Sequence, residues 1–558
     1  MIADSLSTEP AVSNGISYSR EPLTTKWFGD RRTVRFDETG IRQMLETVAE
    51  PCYWVRDAQG RIGVANSIGV TDRAQFCAME LLATLPPFRP DQLGDPSFRQ
   101  AYGTRYNYMA GAMANGIASE ELVIALGKAG MLASFGAGGL VPARIEQAIK
   151  TIQRALPNGP YAFNLIHSPN EEALERKAVE IYLNEGVTVI EASAYLALTP
   201  HVVRYRAAGL QQRRDGSIHV GNRIIAKVSR LEVAAVFLKP APETILRQLV
   251  EAGSITPEQA QLAARVPMAD DITVEADSGG HTDKRSLVCL LPAVLALREQ
   301  IQAEQSYKQT VRIGAAGGIS TPEAVAGAFA MGASYVVTGS INQSCREAGT
   351  SDHVRKVLSQ MSMTDVMMAP AADMFEMGIK LQVAKQGTLF GLRAQKLYDL
   401  YTAYSSWEAI PEKDRVTLEK TIFGQSFEAI WQHCLDFFAE RDPEQITLAT
   451  DNPKRKMALV FRWYLGLSSV WANKGVAGRE ADYQIWCGPA MGSFNQWVKG
   501  TRLERWENRR VADVAYQLLV GGAYLSRIQY LAMVGIHLDP GYRNVSVQPA
   551  PATVPVKS

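Results

Sequence analysis

Three glycine-rich turns between residues 272 and 340 carry the clearest chemical signal in the sequence. Each follows a short β-branched apolar run, and they read Ser278-Gly279-Gly280, Gly317-Gly318 and Gly339-Ser340. Turns with few side chains expose backbone N–H groups, and a helix that begins after such a turn adds the positive end of its dipole. These groups suit a phosphate. The turns therefore predict a site for a phosphorylated cofactor or substrate.

A further loop of small residues favours flavin mononucleotide (FMN) as that ligand, although a sugar phosphate or a nucleotide stays open. The loop reads Ala112-Met113-Ala114-Asn115-Gly116. Such a turn lets the backbone approach a flat ring and offers N–H and C=O groups to its edge. Asn164, at the end of another apolar run, can both donate to and accept from the pyrimidine ring of a flavin.

Two side chains near these turns could take part in catalysis. Lys227 ends an apolar run, where its ammonium group could lie beside the N1/C2 carbonyl edge of the ring and stabilise reduced, anionic flavin. His281 directly follows the first glycine pair and could orient or protonate a substrate. The plainer alternatives are a surface lysine and a histidine bonded to a neighbouring loop. His167 and Asn170 follow Asn164 and could line the same mouth.

Other catalytic chemistries find little support. The sequence has no Ser-His-Asp order, no G-x-S-x-G motif and no metal-ligand spacing among its histidines, so neither a hydrolase nor a metal site is predicted. No G-x-G-x-x-G follows an early strand, which argues against a Rossmann fingerprint. Glu275 and Asp277 are acids in a strand bound for the core. They are expected to bond backbone groups or ribityl hydroxyls rather than to catalyse.

An alternation of strands and helices positions these residues. From Tyr106 to Ile341, eight apolar runs that end in small residues alternate with helical segments. This rhythm predicts an α/β protein built on a (β/α)₈ TIM barrel, which brings the turns to the carboxyl ends of the strands. In such barrels the loops after the last two strands commonly hold a phosphate.

The sequence on either side of the barrel has a different character. Residues 1 to about 25 are rich in Ser, Thr and Pro and are expected to be disordered or loosely attached, and residues 52–66 predict a β-hairpin. Residues 368–404 are interpreted as helix-rich, and the methionines between 361 and 377 as core. The predicted divisions are an N-terminal extension and cap (1–100), an FMN-binding barrel (101–345) with a helical insertion (241–267), a mostly helical region with closing helices, attached to or inserted near the barrel's end (346–540), and a loose tail (541–558).

Composition narrows the class of protein. The 558 residues include 58 basic and 57 acidic side chains, so no overall field favours nucleic acid or a membrane surface. Six scattered cysteines without a C-x-x-C pair favour a reducing compartment. No signal peptide and no membrane-length apolar run is present. These features predict a cytoplasmic protein, and its exposed helices make a homodimer plausible.

Several strings in the chain resemble known enzymes. AGAMANGIASEELV, YAFNLIHSP, IIAKVSR, EADSGGH, IGAAGGIS and VVTGSINQ, in this order, resemble the flavin-dependent nitronate monooxygenase and enoyl-reductase superfamily. The longer strings APAADMFEMGIKLQV, LFGLRAQKLYDLY, FRWYLGLSS and DYQIWCGPAMGSFN resemble one branch, the PfaD-type trans-acting enoyl reductases of polyunsaturated fatty acid and trans-acyltransferase polyketide synthases. The resemblance extends from about Trp27 to Leu538.

The resemblance implies a barrel that binds FMN and a helical domain that helps to form an acyl site. NADPH would reduce the flavin, which would deliver hydride to the β-carbon of a 2-enoyl thioester on an acyl carrier protein, and a proton would reach the α-carbon. The histidine of the Glu-Ala-Gly-Gly-His string of relatives maps to His281. This chain reads Glu275-Ala276-Asp277-Ser278-Gly279-Gly280-His281, so water or another side chain stays open as the proton source.

Two other functions and a docking surface also follow from the sequence. A nitronate monooxygenase would share the fold, although the large helical addition favours a bigger substrate. A non-catalytic scaffold within a synthase is the third class. Because carrier proteins are acidic, a basic group could meet them. The candidate groups are Arg204, Arg206, Arg213 and Arg214, and Lys385, Arg393 and Lys396.

Overall fold

Eight parallel strands close into a barrel, as predicted. The computed structural model describes residues 16–20, 25–69, 76–167 and 172–549. The strands follow chain order around the barrel, and strand eight pairs with strand one. Strands one to eight are Tyr108–Ala110, Leu132–Phe135, Ala162–Ile166, Val189–Ser193, Arg223–Val228, Asp271–Glu275, Arg312–Ala316 and Val336–Thr338.

Helices follow the strands on the outside of the barrel. Several begin where the sequence places a capping residue: the side chains of Ser119, Thr199 and Thr321 accept hydrogen bonds from backbone N–H groups of the first turn. The helices after strands one to eight are Glu120–Lys128, Pro142–Ala155, Glu172–Asn184, Pro200–Ala208, Leu231–Leu238, Leu287–Gln305, Pro322–Ala330 and the short Ser340–Gln343. Two further helices, Glu243–Glu251 and Pro257–Ala263, lie in the predicted 241–267 interruption, and a small hairpin, Leu210–Gln212 with Ile218–Val220, precedes strand five.

The barrel's full-length eighth helix comes much later in the chain. The helix Val511–Met533 packs against Pro322–Ala330 and also against Glu120–Lys128, which is the position between helices seven and one. We call it the closing helix. Residues 346–510 therefore form an insertion between strand eight and the closing helix, which we call the inserted domain. Of the two arrangements that the sequence left open, attachment and insertion, the structure has the second.

The inserted domain has a core of its own, made largely of aromatic side chains. Phe375, Phe390, Phe423 and Phe461 are fully buried there, and the indole of Trp407 stacks on Phe427 at a centroid distance of 4.4 Å. Such rings contribute a large buried apolar area. Its helices are Asp352–Ser359, Phe390–Ala403, Glu412–Leu418 with a π-helical turn Glu419–Phe423, Phe427–Arg441, Pro443–Thr450, Pro453–Lys474 and Ala490–Val498.

The interpretation of residues 368–404 as helix-rich was wrong in its first half. Strands Val366–Pro370 and Lys380–Ala384 pair antiparallel, and the second also pairs with Gly280–His281. We call these three strands the mouth sheet and residues 366–384 the hairpin. The second strand's other partner, Gly280–His281, lies about a hundred residues away in sequence, and local composition could not reveal that contact. Two methionines of this region, Met363 and Met377, are 56% and 66% exposed and not core.

The N-terminal region forms a four-stranded sheet that packs near the closing helix. The predicted hairpin at 52–66 is confirmed. The strands, in spatial order, are Lys26–Asp30, Phe76–Leu85, Cys52–Arg56 and Ile62–Ala65, and the helices are Glu38–Glu46 and Pro96–Tyr102. Buried Arg527 of the closing helix donates to the carbonyl oxygens of Leu45, Thr47, Val48 and Glu50, in the last turn of the helix Glu38–Glu46 and just after it. The closing helix thus holds the N-terminal region to the barrel.

The described parts of the two chain ends pack against the protein, whereas the sequence predicted loose segments. Ser17–Tyr18 pairs with Ile536–His537, Tyr542 is 1% exposed, and the backbone N–H of Gln548 donates to Gln517 at 2.9 Å. Residues 1–15, 21–24 and 550–558 lie outside the described residues. Among the helices that the structure describes, none has the length and apolarity to span a membrane.

Candidate active site

Glycines at the ends of strands seven and eight leave open space at the mouth of the barrel. Gly317 adopts φ +81°, and a Cβ there would lie 2.6 Å from the carbonyl carbon of Ala276, so only glycine fits. A Cβ on Gly318 or Gly339 would meet no atom within 4 Å. The backbone N–H groups of Gly318 and Ser340 have no acceptor among the described residues. Unpaired backbone N–H groups suit an anion, and an anion site at these two groups, which we call the anion cradle, stays a prediction.

The inserted domain covers one side of this cradle. The backbone N–H of Gly488 donates to the hydroxyl of Ser340 at 3.1 Å. A Cβ on Gly279 would lie 2.9 Å from the backbone of Cys487. Glycine at 279 therefore permits close packing of two backbones, while Gly280 (φ +76°) faces open space. Contact of Gly279 and Gly280 with a cofactor stays a prediction.

Lys227 is held by acids at the barrel mouth and is not a surface lysine. Its Nζ donates to Oε2 of Glu275 at 2.6 Å, and the two side chains are only 20% and 17% exposed. The hydroxyl of Ser278 donates to the other oxygen of Glu275 at 3.1 Å. Burial by itself lowers the pKa of Lys227, but the charges of Glu275 and Glu191 raise it above its ordinary value. Lys227 is therefore a cation whose charge is partly neutralised before any cofactor binds.

Glu191 is a site residue that the sequence reasoning missed. It is fully buried in strand four, and its Oε2 accepts a hydrogen bond from the backbone N–H of Ala112 at 2.7 Å. Its Oε1 makes no aligned hydrogen bond to any described residue, although the hydroxyl of Ser134 is close. Burial raises the pKa of Glu191 above its ordinary value. An acid within an apolar run was the available signal, the same one that singled out Glu275.

Asn164 keeps one polar atom free for a ligand. Its Nδ2 donates to the backbone oxygen of Glu191 at 3.0 Å and to the hydroxyl of Ser193 at 2.9 Å. Both amide hydrogens are thus used, and Oδ1 is left as an acceptor. The sequence predicted that Asn164 would both donate and accept. The structure leaves only the accepting role.

The loop from Ala112 to Gly116 is largely committed to the protein. The N–H groups of Asn115 and Gly116 donate to the carbonyl oxygens of Gly138 and Gly136 at 2.7 and 2.9 Å. Within the described chain, the N–H groups of Met113 and Ala114 have no such partner. The side chain of Asn115, at φ +58°, donates to the hydroxyl of Ser469 in the inserted domain at 2.9 Å. Only the middle of the loop therefore offers N–H groups to a ring.

His281 lies on the mouth sheet and faces an acid of the hairpin. Its Nε2 is 3.3 Å from Oδ1 of Asp373, an ion-pair distance without an aligned hydrogen bond. The two side chains are 36% and 38% exposed. Burial lowers the pKa of His281, but Asp373 more than offsets this and raises it above the ordinary value. The charged imidazolium is thus favoured, and no sequence pattern pointed to Asp373.

Gln382 fixes the loop that leads to His281. Its side chain is 1% exposed, and its Nε2 donates to Oδ1 of Asp277 at 2.9 Å and to the backbone oxygen of Ser278 at 2.7 Å. One oxygen of Asp277 is therefore bound by a side-chain amide, a partner that the sequence did not predict. The hairpin thus positions both ends of the segment from Asp277 to His281.

His167 faces the protein at the mouth of strand three. Its Nδ1 is 2.8 Å from Oε2 of Glu175, which is 2% exposed, and its ring stacks on Tyr195 at 5.3 Å. Oε1 of Glu175 accepts hydrogen bonds from Tyr195, at 2.9 Å, and from Thr199. His167 is therefore tied into a buried network, and Asn170 lies outside the described residues.

Two of the basic side chains proposed to meet a carrier are largely buried in ion pairs. Arg206 is 1% exposed and binds Asp270, beside the beginning of strand six and so at the opposite end of the barrel from the mouth. Arg393 binds Asp482 and is 21% exposed. Neither is a free docking cation.

The polar groups at the mouth form one connected arrangement. Strands three, five, seven and eight and the segment after strand six bring together an acceptor at Asn164, a largely buried cation at Lys227, the imidazole of His281 beside Asp373, and the unpaired backbone N–H groups of Gly318 and Ser340. This donor set fits FMN: unpaired backbone N–H groups suit its phosphate, and the free oxygen of Asn164 suits the imide N–H of its ring.

Comparison with known proteins identifies the family. The sequence profile "Nitronate monooxygenase" matches residues 100–388, and "Fatty acid synthase subunit PfaD N-terminal domain" matches residues 27–87. The crystal structure of the enoyl reductase domain of MlnA, from the macrolactin biosynthesis cluster of Bacillus amyloliquefaciens, is 42% identical, covers 79% of this chain and 99% of that one, and superposes with a TM-score of 0.76. The chain belongs to the PfaD-type enoyl reductases, in the nitronate monooxygenase-like superfamily.

In other relatives of this PfaD-type chain, the matched region is one part of a longer protein. It is 53% identical over 446 residues to a polyunsaturated fatty acid synthase component of Thraustochytrium and 46% identical over 436 residues to the polyketide biosynthesis protein PksE of Bacillus subtilis. These matches cover 79% and 78% of this chain, but only 30% and 56% of the relatives. Residues 404–483 also match the profile "acyl-carrier-protein S-malonyltransferase, inserted helical domain".

Proposed function

We propose that this protein is an FMN-dependent enoyl reductase that acts in trans on 2-enoyl thioesters of an acyl carrier protein, with NADPH as reductant. One observation carries the proposal: His281, with its ring beside Asp373, lies at the same barrel mouth as the anion cradle, beneath the inserted domain. His281 follows Gly279 by two residues, Gly279 packs on Cys487, and the next residue, Gly488, binds Ser340.

Named groups of the chain would hold the cofactor. The N–H groups of Gly318 and Ser340 would bind the phosphate, and Oδ1 of Asn164 would accept from the ring. Lys227 would add positive charge at the ring, moderated by Glu275 and Glu191. When bound, FMN supplies two-electron chemistry, taking hydride from NADPH and giving it to the β-carbon of the enoyl thioester.

His281 would supply the proton for the α-carbon. Its Nε2 faces Asp373, so Nδ1 is the nitrogen left to donate. The imidazolium becomes neutral when it gives up this proton, and because the side chain is 36% exposed, bulk water can restore it. The reaction then consumes one NADPH and one proton for each double bond reduced.

The membership of relatives in synthases supports a carrier-protein partner. Components of polyunsaturated fatty acid and polyketide synthases resemble this chain, and the profile matched by residues 404–483 comes from an enzyme named for its carrier protein. All six cysteines lie among the described residues as free thiols, which suits the cytoplasm. The homodimer stays a prediction that sedimentation velocity can check.

Anaerobic stopped-flow absorbance tests the proposal. The purified protein loaded with FMN is mixed with NADPH and then with crotonyl or longer 2-enoyl carrier-protein thioester. We expect NADPH to bleach the flavin absorbance and the enoyl thioester to restore it. A protein that NADPH does not bleach, or whose absorbance the thioester does not restore, contradicts the proposal.

A nitronate monooxygenase-like oxidase is the second candidate, because the profile of that name matches 100–388. Recovery of the bleached absorbance with oxygen or a nitronate, and not with an enoyl thioester, would favour it. If the purified protein does not bind added FMN, both enzyme functions are excluded and the non-catalytic scaffold remains.

A further inference from the structure

The hairpin brings a carboxylate from the inserted domain to the histidine of the barrel mouth. Asp373 lies in the turn between strands Val366–Pro370 and Lys380–Ala384, and the second strand pairs directly with Gly280–His281. His281 and Leu381 are register partners. The acid and the histidine are therefore brought together by main-chain pairing and not by two flexible side chains alone.

The inserted domain anchors this turn next to Asp373. Phe375 is fully buried in the core of the inserted domain, with its ring 5.1 Å from that of Tyr401. Glu376 forms an ion pair with Arg462 of the helix Pro453–Lys474 at 3.3 Å. The position of Asp373 is thus set by the inserted domain, although His281 belongs to the barrel.

We propose that Asp373 is a positioning residue for the proton-transfer step: it orients the ring of His281 and pairs with its charged form. This inference rests on the proposed function, in which His281 protonates the α-carbon. With Nε2 directed at Asp373, Nδ1–H donates the proton, and the ion pair becomes a neutral imidazole beside a carboxylate until water returns a proton.

Other charges face His281 from the barrel, and they do not replace Asp373. Lys227 of strand five acts against the charged form, and Glu275 at the end of strand six acts for it. These two are paired with each other at 2.6 Å, so their effects on the histidine oppose. Asp373 is the acid that contributes most to raising the pKa of His281 and so to favouring the imidazolium.

Chemical modification tests the pair without turnover. Diethyl pyrocarbonate reacts with the neutral imidazole, so the modification rate of the His281 peptide against pH, read by mass spectrometry, reports its protonation. In Asp373→Asn we expect the midpoint of the rate-against-pH curve for His281 to move to lower pH. The curve for His167, measured in the same samples, should not change. Asp373→Glu should restore the wild-type midpoint. An unchanged midpoint for His281 in Asp373→Asn overturns the proposal.

Half-reaction kinetics supply the second readout. In Asp373→Asn we expect NADPH to bleach bound FMN at the wild-type rate, while re-oxidation by the enoyl thioester slows at least about tenfold at pH 8 and less at pH 6. Asp399→Asn, which removes a carboxylate on the exposed face of helix Phe390–Ala403, is the matched control and should behave as wild type. If Asp373→Asn does not fold, Asp373→Ser takes its place.

The outcomes separate this inference from the proposed function. A wild-type protein that enoyl thioesters never re-oxidise refutes the reductase, while the modification experiment still decides whether Asp373 holds the charged histidine. A wild-type protein that is re-oxidised, with an Asp373→Asn variant of identical pH profile, refutes only the positioning role.

Discussion

Two histidine–carboxylate pairs lie at the mouth of this barrel and differ in almost every physical respect. His167 and Glu175 are 2.8 Å apart, and the acid is buried with hydrogen bonds from Tyr195 and Thr199. His281 and Asp373 are 3.3 Å apart, without an aligned hydrogen bond, and both are more than one-third exposed.

The difference supports the structural role that we assign to the first pair and the chemical role that we propose for the second. Every oxygen of Glu175 has a partner, so moving a proton in that network would break buried hydrogen bonds. The looser pair can exchange protons with water while its acid favours the charged histidine. A buried acid whose oxygens all accept hydrogen bonds is typical of a stabilising role. A partly exposed pair whose members come from two regions of the molecule favours a chemical role.

The largest expected effect comes from removing the looser histidine. In His281→Phe, re-oxidation by an enoyl thioester should slow by about 10²–10⁴-fold, the usual contribution of a general acid. Stopped-flow absorbance measures this, and bleaching by NADPH should be retained. Re-oxidation at the wild-type rate would assign the proton to water or another side chain.

The converse test breaks the tight pair. Glu175→Ala leaves the donors of His167, Tyr195 and Thr199 without their acceptor, which costs about 1–3 kcal/mol for each buried group left unpaired. We expect a clearly lower urea midpoint of unfolding and an unchanged rate per folded molecule. Glu172→Gln, on the same helix with a side chain 70% exposed, is the control. A slowed re-oxidation in Glu175→Ala would contradict the structural assignment.

A smaller effect should follow from loosening the support of His281. Gln382→Leu removes the amide that holds Asp277 and Ser278 at 2.9 and 2.7 Å. We expect about a tenfold slower re-oxidation, equivalent to about 1.4 kcal/mol, because the histidine segment loses its positioning. Gln395→Leu, whose amide bonds only exposed Asp399, should have no such effect and serves as the comparison.

The smallest expected effect is on the pH dependence of stability. The pKa of His281 is raised in the folded protein, so its contribution is fully present below the ordinary histidine pKa and is lost as pH rises through the raised value. The thermal unfolding temperature of the wild-type protein should therefore exceed that of His281→Gln by a larger margin at pH 6 than at pH 9. Partial exposure keeps this difference small. An equal difference at both pH values would argue against the charged pair.

Much of the barrel could be predicted from the sequence because its signals are local. The apolar runs that end in small residues and the glycine turns predicted eight strands and the helices that follow most of them. The family could likewise be recognised from strings such as FRWYLGLSS. Each depends on residues within a few positions of one another.

Long-range pairing was decided only by the tertiary structure. The closing helix fits the barrel across an insertion of more than 150 residues, and the second strand of the hairpin pairs with Gly280–His281, about a hundred residues earlier in the chain. The roles that we assign to Asp373 and Glu191 depend on contacts with residues that are distant in sequence. Local composition determines which elements form, while packing and burial determine which charged groups meet.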